Sequence, residues 1–242
     1  MNSQEGATQR EIAEMNNASL GSVNGAIVKL RELGYVSADN VISDEAQELL
    51  KEAKPQNAVI LAAGFGMRMV PINTVYPKAM LKVHGEVLIE RLIRQLHEAG
   101  ITKIDVVVGF MKESFEYLID EYGVDLITNR DYASKENLHS LKLASAQLGN
   151  TYVIPSDIWF RENPFAQCEP YSWYMVAESR NAHSRVKLNR NKELIDIGNS
   201  MNKKLKMMGV AYISNKDADE VRLRIARHSD RDDCYWEDAL YT

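Results

Sequence analysis

Residues 61–81 read LAAGFGMRMVPINTVYPKAML and follow directly on the apolar run that opens at Ala58. Ala62, Ala63, Gly64 and Gly66 carry little or no side chain. At the end of a strand, such residues let backbone N–H groups close in on a triphosphate and form a nest for its oxygens. With Leu61 at its entrance, this stretch is the expected nucleotide-binding loop. Arg68 and Lys78 add the positive charge that neutralises phosphate, Arg as a bidentate fork and Lys as a point charge. Two other phosphate loops are excluded. GxxxxGK[ST] does not start at Gly64, and the third glycine of GxGxxG is replaced by Met69. A bare G-x-G would indicate only a tight turn. The full string L-A-A-G-x-G-x-R, then Pro71, then Pro77-Lys78, is far more specific.

Downstream, the texture is α/β. AVILAAG reads as a strand, VLIERLIRQLHEAG as an amphipathic helix ending at Gly100, and IDVVVGF as a second strand. MKESFEYLIDEYG is a helix, VDLITN a strand, LHSLKLASAQLG a helix and TYVIPSDIW a strand. Strands and helices alternating at this spacing predict a mostly parallel sheet with helices on both faces, a Rossmann-like arrangement. Ligands bind at the carboxyl ends of such strands. The glycine loop and Asp157, in YVIPSDIW, both fall there.

Upstream of Pro55 the pattern changes. Thr8 and Glu11 have capping-box spacing, NNASLGS is turn-like, and Ser19 or Ser22 can cap the next helix. Val23, Ile27 and Leu30 share one helical face, and Gly34 stands where a helix would stop. Tyr35-Val36 and Val41-Ile42 read as a small hairpin, followed by a helix over about 44–51 and a KPQN linker. The division predicted is therefore 1–54 and 55–242. Residues 1–54 resemble a MarR-like winged helix-turn-helix whose first helix is absent. They hold five basic and nine acidic residues, a net of −4. DNA binders neutralise phosphates with Lys and Arg, so duplex DNA is expected to bind weakly at best.

Composition sets the class. Apolar residues are 45% and charged residues 26% of 242, ordinary values for a globular chain with a sizeable core. The first residues lack an apolar signal region, and no apolar run is long enough to span a bilayer. Cys168 and Cys234 have no metal-binding spacing, so the chain reads as a cytoplasmic enzyme with reduced thiols. Both ends read as cut, the C-terminus within the helix that YWEDALYT begins, so an inactive fragment is one alternative.

LAAGFGMRMVPINTVYPKAMLKVHGEVLIERLIRQL resembles the nucleotidyltransferases that activate sugar 1-phosphates and phosphocholine. VVVGFMKESFEYL, LITNRDYASKENLHSL, YVIPSDIWFRENPF and the late CYWEDAL bring it nearest to the bacterial CTP:phosphocholine cytidylyltransferases. The resemblance implies Mg2+ held by two distant acidic side chains, here Asp157 and Glu237, with Asp238 beside it. It implies an NTP, CTP foremost, and a phosphorylated acceptor. A phosphate monoester is largely dianionic at neutral pH, with a second pKa near ~6, so it attacks the α-phosphorus without a general base. Arg68, Lys78 and Asp157 then carry the chemistry by alignment and charge neutralisation. His84, His97, His139, His183 and His228 read as surface or packing residues. For a quaternary ammonium, aromatic faces are expected: Trp159, Trp173, Tyr174, Tyr235 and Trp236, with Asn137 and Ser140 as polar contacts. Sugar-1-phosphate transfer, with hydrogen-bonding side chains instead, is the main alternative. A regulator that only senses its ligand is another.

Overall fold

The computed structural model describes residues 7–66, 76–179, 186–190, 194–196, 204–228 and 231–240. Arg68 and Pro71 of the glycine-rich stretch, and His183, lie outside the described residues. The chain forms two units, Met1–Glu52 and Ala53–Thr242.

In the first unit, α1 (Gln9–Met15) opens on a reciprocal cap. Thr8 Oγ1 accepts the Glu11 N–H at 3.3 Å, and the Glu11 carboxylate accepts the Thr8 N–H at 2.7 Å. Ser19 caps α2 (Leu20–Glu32), its hydroxyl accepting the Ser22 N–H at 3.0 Å. Gly34, at φ 76°, follows the helix. The expected hairpin is a single antiparallel bridge, Val36 to Ile42, because Ser37 N already turns back onto Val41 O at 2.8 Å. α3 (Asp44–Glu52) follows. Ala13 and Val23 are the buried apolar side chains among the described residues of this unit.

The second unit begins with β1 (Asn57–Ala62), buried at every position. A short hairpin of β2 (Lys82–Val83) and β3 (Glu86–Val87) leads into α4 (Leu88–Glu98). Next come β4 (Ile104–Val108), α5 (Tyr117–Tyr122), β5 (Asp125–Thr128), α6 (Asn137–Leu143) and β6 (Thr151–Pro155). The later part adds β7 (Trp173–Glu178), the antiparallel pair β8 (Val186–Leu188) and β9 (Leu194–Asp196), β10 (Leu205–Ile213) and α7 (Asn215–Arg227).

Six of these strands form one sheet in the order β5-β4-β1-β6-β10-β7. β5, β4, β1 and β6 are parallel, whereas β10 runs antiparallel to both β6 and β7. The fold is thus α/β with a mostly parallel sheet. Side chains on β1 alternate between faces. Ala58, Ile60 and Ala62 pack with Ile89, Leu92, Leu96, Phe115 and Leu118 of the α4–α5 side. Val59 and Leu61 pack with Leu138, Leu141, Val221, Ile225 and Trp236 of the opposite layer. Burying one such Leu or Ile side chain contributes ~1.5–3 kcal/mol, and Leu92→Ala would cost ~2–5 kcal/mol.

α4 ends as its sequence requires. Gly100 takes φ 83°, its N–H bonds to His97 O, and Ile101 N–H bonds to Leu96 O, both at 2.9 Å. Two helices are shorter than their sequence suggests. Met111 sits at φ 51°, so the stretch after it starts as a 3-10 turn (Lys112–Phe115) before α5. α6 stops at Leu143, and a 3-10 turn (Ser145–Gln147) presents Gln147 O to the side chains of Asn57 and Thr151. Among the described residues no helix is long and apolar enough to cross a membrane.

Candidate active site

The four parallel strands end on one edge of the sheet, where residues 63–66, 109–111, 129–136 and 156–157 emerge. A cavity of about 1080 Å³ opens there. Ala63, Gly64, Phe65 and Gly66 form one wall, Phe110 and Tyr132 another, and Asn129, Ser140 and residues 133–137 a third. Asp232, Asp233 and Tyr235 complete the rim.

The glycine loop is placed by β1. Leu61 O accepts the Ser156 N–H at 3.2 Å, and Ala63 O accepts the Phe110 N–H at 3.1 Å, so the loop is pinned to both neighbouring strands. Gly66 adopts φ 67°, which favours glycine. Gly64 has another reason: a Cβ there would meet no protein atom within 4 Å, yet the residue lines the cavity. Packing does not require that glycine, and its cavity side is open. Leu61 and Ala62, expected in the nucleotide set, instead direct their side chains into the two core layers. Only their backbone belongs to the loop.

Lys78 and Asp157 are brought together from distant sequence. Pro77 starts a 3-10 turn (Lys78–Met80) anchored by buried Ala79, and the Lys78 ammonium makes an ion pair with the Asp157 carboxylate. Asp157 follows directly on Ser156, so it stands beside the start of the glycine loop.

The opposite wall is a polar scaffold. Asn129 and Ser140 are buried, and Asn129 Nδ2 donates to Ser140 Oγ at 3.0 Å. Asn129 Oδ1 accepts the Asp131 N–H at 2.9 Å and turns the chain into the wall. Asn137 Oδ1 accepts the Trp236 N–H at 2.9 Å, and Asp232 O accepts the Glu136 N–H at 3.0 Å. The start of α6 thereby fixes the late segment 232–237 against the cavity. Asn137 and Ser140, expected at the acceptor, share one cavity with the glycine loop. His139 contacts Asp131 at 3.2 Å; burial and then Lys135 hold its imidazole below the usual range.

The two late carboxylates differ. Asp238 accepts the Tyr235 N–H at 2.9 Å and closes its own 3-10 turn (Trp236–Ala239). Glu237 points inward, and its Oε1 accepts the Tyr174 hydroxyl at 3.1 Å. Burial pushes the Glu237 carboxyl up, offset in part by hydrogen bonds from backbone and Tyr174. Among the described residues no three His, Cys, Asp or Glu side chains gather as a protein-only metal cage. Mg2+ asks for less, since one or two carboxylates with substrate phosphates suffice. Asp157 and Glu237 are oxygen donors of that type, so their chemistry suits the ion; Asp157 is paired with Lys78 here, and neither carboxylate is among the residues that line the cavity.

The aromatics separate into two groups. Tyr235 lines the cavity and is 53% exposed. Trp236 is 1% exposed and packs on Tyr174, ring centroids 5.7 Å apart. Trp173 donates from Nε1 to Glu169 at 2.9 Å and packs towards Tyr152. Trp159 lies under Arg91, 4.9 Å from the guanidinium, and beside His84. The three tryptophans expected at the acceptor do not line this cavity. Phe65, Phe110 and Tyr132 do: Phe65 meets Phe110 edge-on at 4.5 Å, and Tyr132 follows at 6.3 Å.

Sequence reasoning overlooked Asn129, Phe110, Tyr132 and Gly109. The signal for Gly109 is steric. A Cβ there would fall 2.7 Å from Tyr132 Cβ and 2.9 Å from Ala63 O, so glycine permits these walls to meet.

Residues 58–167 match the model of the MobA-like NTP transferase domain. A choline-phosphate cytidylyltransferase of Streptococcus pneumoniae is 44% identical over 108 residues, 45% of this chain and 47% of that one, so the match spans about half of that relative. A 2-aminoethylphosphonate cytidylyltransferase of Lancefieldella rimae is 30% identical over 201 residues, 78% of this chain and 80% of that protein. The solved CTP:phosphocholine cytidylyltransferase from Streptococcus pneumoniae superposes with a TM-score of 0.70 at 30% identity, covering 77% of this chain and 84% of that one. With the glycine loop, the parallel strand ends and the Lys78–Asp157 pair arranged as described, the chain belongs to the nucleotidyltransferase family.

Proposed function

We propose that this enzyme transfers a cytidylyl group from CTP to phosphocholine, giving CDP-choline and pyrophosphate with Mg2+. What supports this reading is one cavity lined both by the glycine loop and by a rim of Tyr235, Asp232 and Asp233; the loop backbone is of a kind that takes an anion, and the rim of a kind that takes a cation. A sugar 1-phosphate brings no cation for this rim to neutralise, only hydroxyls that can donate to its carboxylates. Two cytidylyltransferases among the relatives support CTP as donor.

In this reading the acceptor's phosphate oxygen forms a new bond to the α-phosphorus. The bond from that phosphorus to the α–β bridging oxygen breaks, and pyrophosphate leaves. The backbone of residues 63–66 and Lys78 hold the departing phosphates, with Arg68 assigned the same task. Asp157 and Glu237 would hold the Mg2+, which neutralises the two approaching anions. Asn137 and Ser140 orient the acceptor, with Tyr235, Asp232 and Asp233 at its cationic head. Residues 1–54 are, on the strength of the Thr8 and Ser19 caps and the Val36–Ile42 bridge, a winged-helix-type appendage with little affinity for DNA.

A second reading, 2-aminoethylphosphonate as acceptor, is favoured by the relative that matches 78% of the chain. Its primary ammonium donates N–H bonds to carboxylates, whereas a quaternary ammonium relies on aromatic faces. Pyrophosphate release with four NTPs against phosphocholine, phosphoethanolamine, 2-aminoethylphosphonate and glucose 1-phosphate tests both. CTP with phosphocholine is expected to be fastest. Fastest release with glucose 1-phosphate would end the cationic-acceptor reading.

A further inference from the structure

We infer that Tyr174 is a positioning residue for the metal-binding carboxylate, holding Glu237 against the bulged part of β10. The inference rests on the assignment of Glu237 and Asp157 to the metal.

Strand pairing puts Tyr174 on β7, opposite Ala211 of β10. Between Met207 and Ala211 the register of that pair shifts, and Gly209 lies inside the irregularity at φ 77°. A bulge leaves backbone N–H groups without a ladder partner. Here the Gly209 N–H donates to Tyr174 Oη at 2.6 Å. The same hydroxyl donates its proton to Glu237 Oε1 at 3.1 Å. One phenol thus accepts from a strand and donates to a carboxylate, which fixes the direction of its O–H. The ring is held as well, packed at a tilt of 43° against the buried Trp236 that immediately precedes Glu237.

Gly209 links this phenol to the other carboxylate. A Cβ at Gly209 would stand 3.1 Å from Pro155 Cγ, so the bulge lies against the last residue of β6. Asp157 is two residues further on. Tyr174 therefore ties Glu237 to the strand end from which Asp157 projects. Partners that orient a ligating carboxylate without touching the ion typically change metal affinity by about 10- to 100-fold when removed. Tyr174→Phe deletes the hydroxyl and keeps the ring contact with Trp236.

The test is Mn2+ titrated into the full chain saturated with CTP, read by EPR with the CTP-only signal subtracted. The parent, Tyr174→Phe, Glu237→Gln and the double variant are compared, with thermal melts alongside. Tyr174→Phe should weaken Mn2+ by about ten-fold and raise the Mg2+ concentration for half-maximal turnover more than it lowers kcat. The double variant should bind no worse than Glu237→Gln alone. Unchanged Mn2+ affinity in Tyr174→Phe, with Glu237→Gln impaired, overturns the positioning role and leaves the metal assignment standing. Unchanged affinity in Glu237→Gln overturns the assignment of Glu237 itself. A variant carrying Gly209→Ala, whose methyl would press on Pro155, should weaken Mn2+ in the same direction; no change there also counts against the linkage.

Discussion

The Lys78 ammonium lies against the Asp157 carboxylate, joining the turn after Pro77 to the end of β6 across 79 positions of sequence. Their side chains are 31% and 34% exposed, so the pair contributes little to stability, ~0–1 kcal/mol. Stability alone therefore gives little reason to keep the pair, and kinetics can test the proposed role of each partner with substrate. Asp157→Ala is expected to keep the fold while lowering kcat by about 10²–10³-fold or more. Lys78→Met should raise the CTP KM by about ten-fold or more, the scale of a charged hydrogen bond. Steady-state kinetics and a melt on each variant check this. Full activity in Asp157→Ala would remove that residue from the site.

Gly64 and Gly109 should respond in opposite ways to a methyl group. Around Gly64 there is open space on the cavity side, so Gly64→Val should retain the parent melting temperature and lose CTP binding. Gly109→Ala must push apart Tyr132 and Ala63 O. Overpacking of this kind costs ~1–3 kcal/mol, or a drop of about 2–12 °C for a unit this size. Calorimetric CTP binding and thermal melts on both variants separate the two roles. A destabilised Gly64→Val that still binds CTP would make the loop a turn and nothing more.

Asp105 gives the sheet a pH dependence. It is buried in β4 with Oδ2 lacking a hydrogen-bond partner, and burial followed by the neighbouring Asp125 raises its carboxyl pKa. A folded-state pKa above the unfolded one means that the protonated form favours folding. The stabilisation is complete below the ordinary carboxylate range and is lost as pH rises through the raised value. Asp105→Asn should therefore melt higher than the parent at pH 7, by about 2–4 °C per kcal/mol recovered. The difference should vanish below about pH 4. Equal melting temperatures across this range would contradict it.

What the sequence reveals of this molecule is what depends on near neighbours. The Thr8–Glu11 cap, the buried run of β1 and the Gly100 stop of α4 are encoded within a few residues, and each forms as its pattern dictates. The glycine loop is legible for the same reason. The other walls of the site depend on distant pairs. Asn137 and Trp236 are 99 positions apart, and Tyr174 and Glu237 are 63 apart. No local pattern announces either contact. Aromatic content in YSWYMV and YWED likewise cannot tell a cavity-facing ring from a core ring. The register of β7 and β10 decides that, turning Trp173 towards Glu169 and burying Trp236 beneath Tyr174.

The N-terminal unit is expected to bind duplex DNA no more tightly than about micromolar at physiological salt, the range of non-specific binding. Its net charge of −4 over residues 1–54 leaves few cations to displace counterions. A gel-shift titration of the full chain with random duplexes at several salt concentrations measures this. Tight, sequence-dependent binding would reverse the conclusion.

The acceptor rim offers the sharpest test of substrate. Tyr235 is the exposed ring beside Asp232 and Asp233, whereas Trp173 sits away from the cavity with its indole N–H on Glu169. A cation over a partly desolvated ring gains ~1–2 kcal/mol, which corresponds to ~5- to 30-fold in affinity. Tyr235→Ala should therefore raise the phosphocholine KM by that factor and leave the CTP KM nearly unchanged. Trp173→Ala should instead lower stability, by ~3–5 kcal/mol if the ring leaves a cavity, without altering the ratio of the two KM values. Asp232 adds a discriminator. It already meets Lys135 at 3.7 Å, and a carboxylate at that rim can accept N–H bonds from a primary ammonium but none from a quaternary one. Asp232→Asn should thus impair 2-aminoethylphosphonate more than phosphocholine. If Tyr235→Ala spares phosphocholine while Asp232→Asn abolishes use of 2-aminoethylphosphonate, the rim is built for N–H donors and the phosphonate is the substrate.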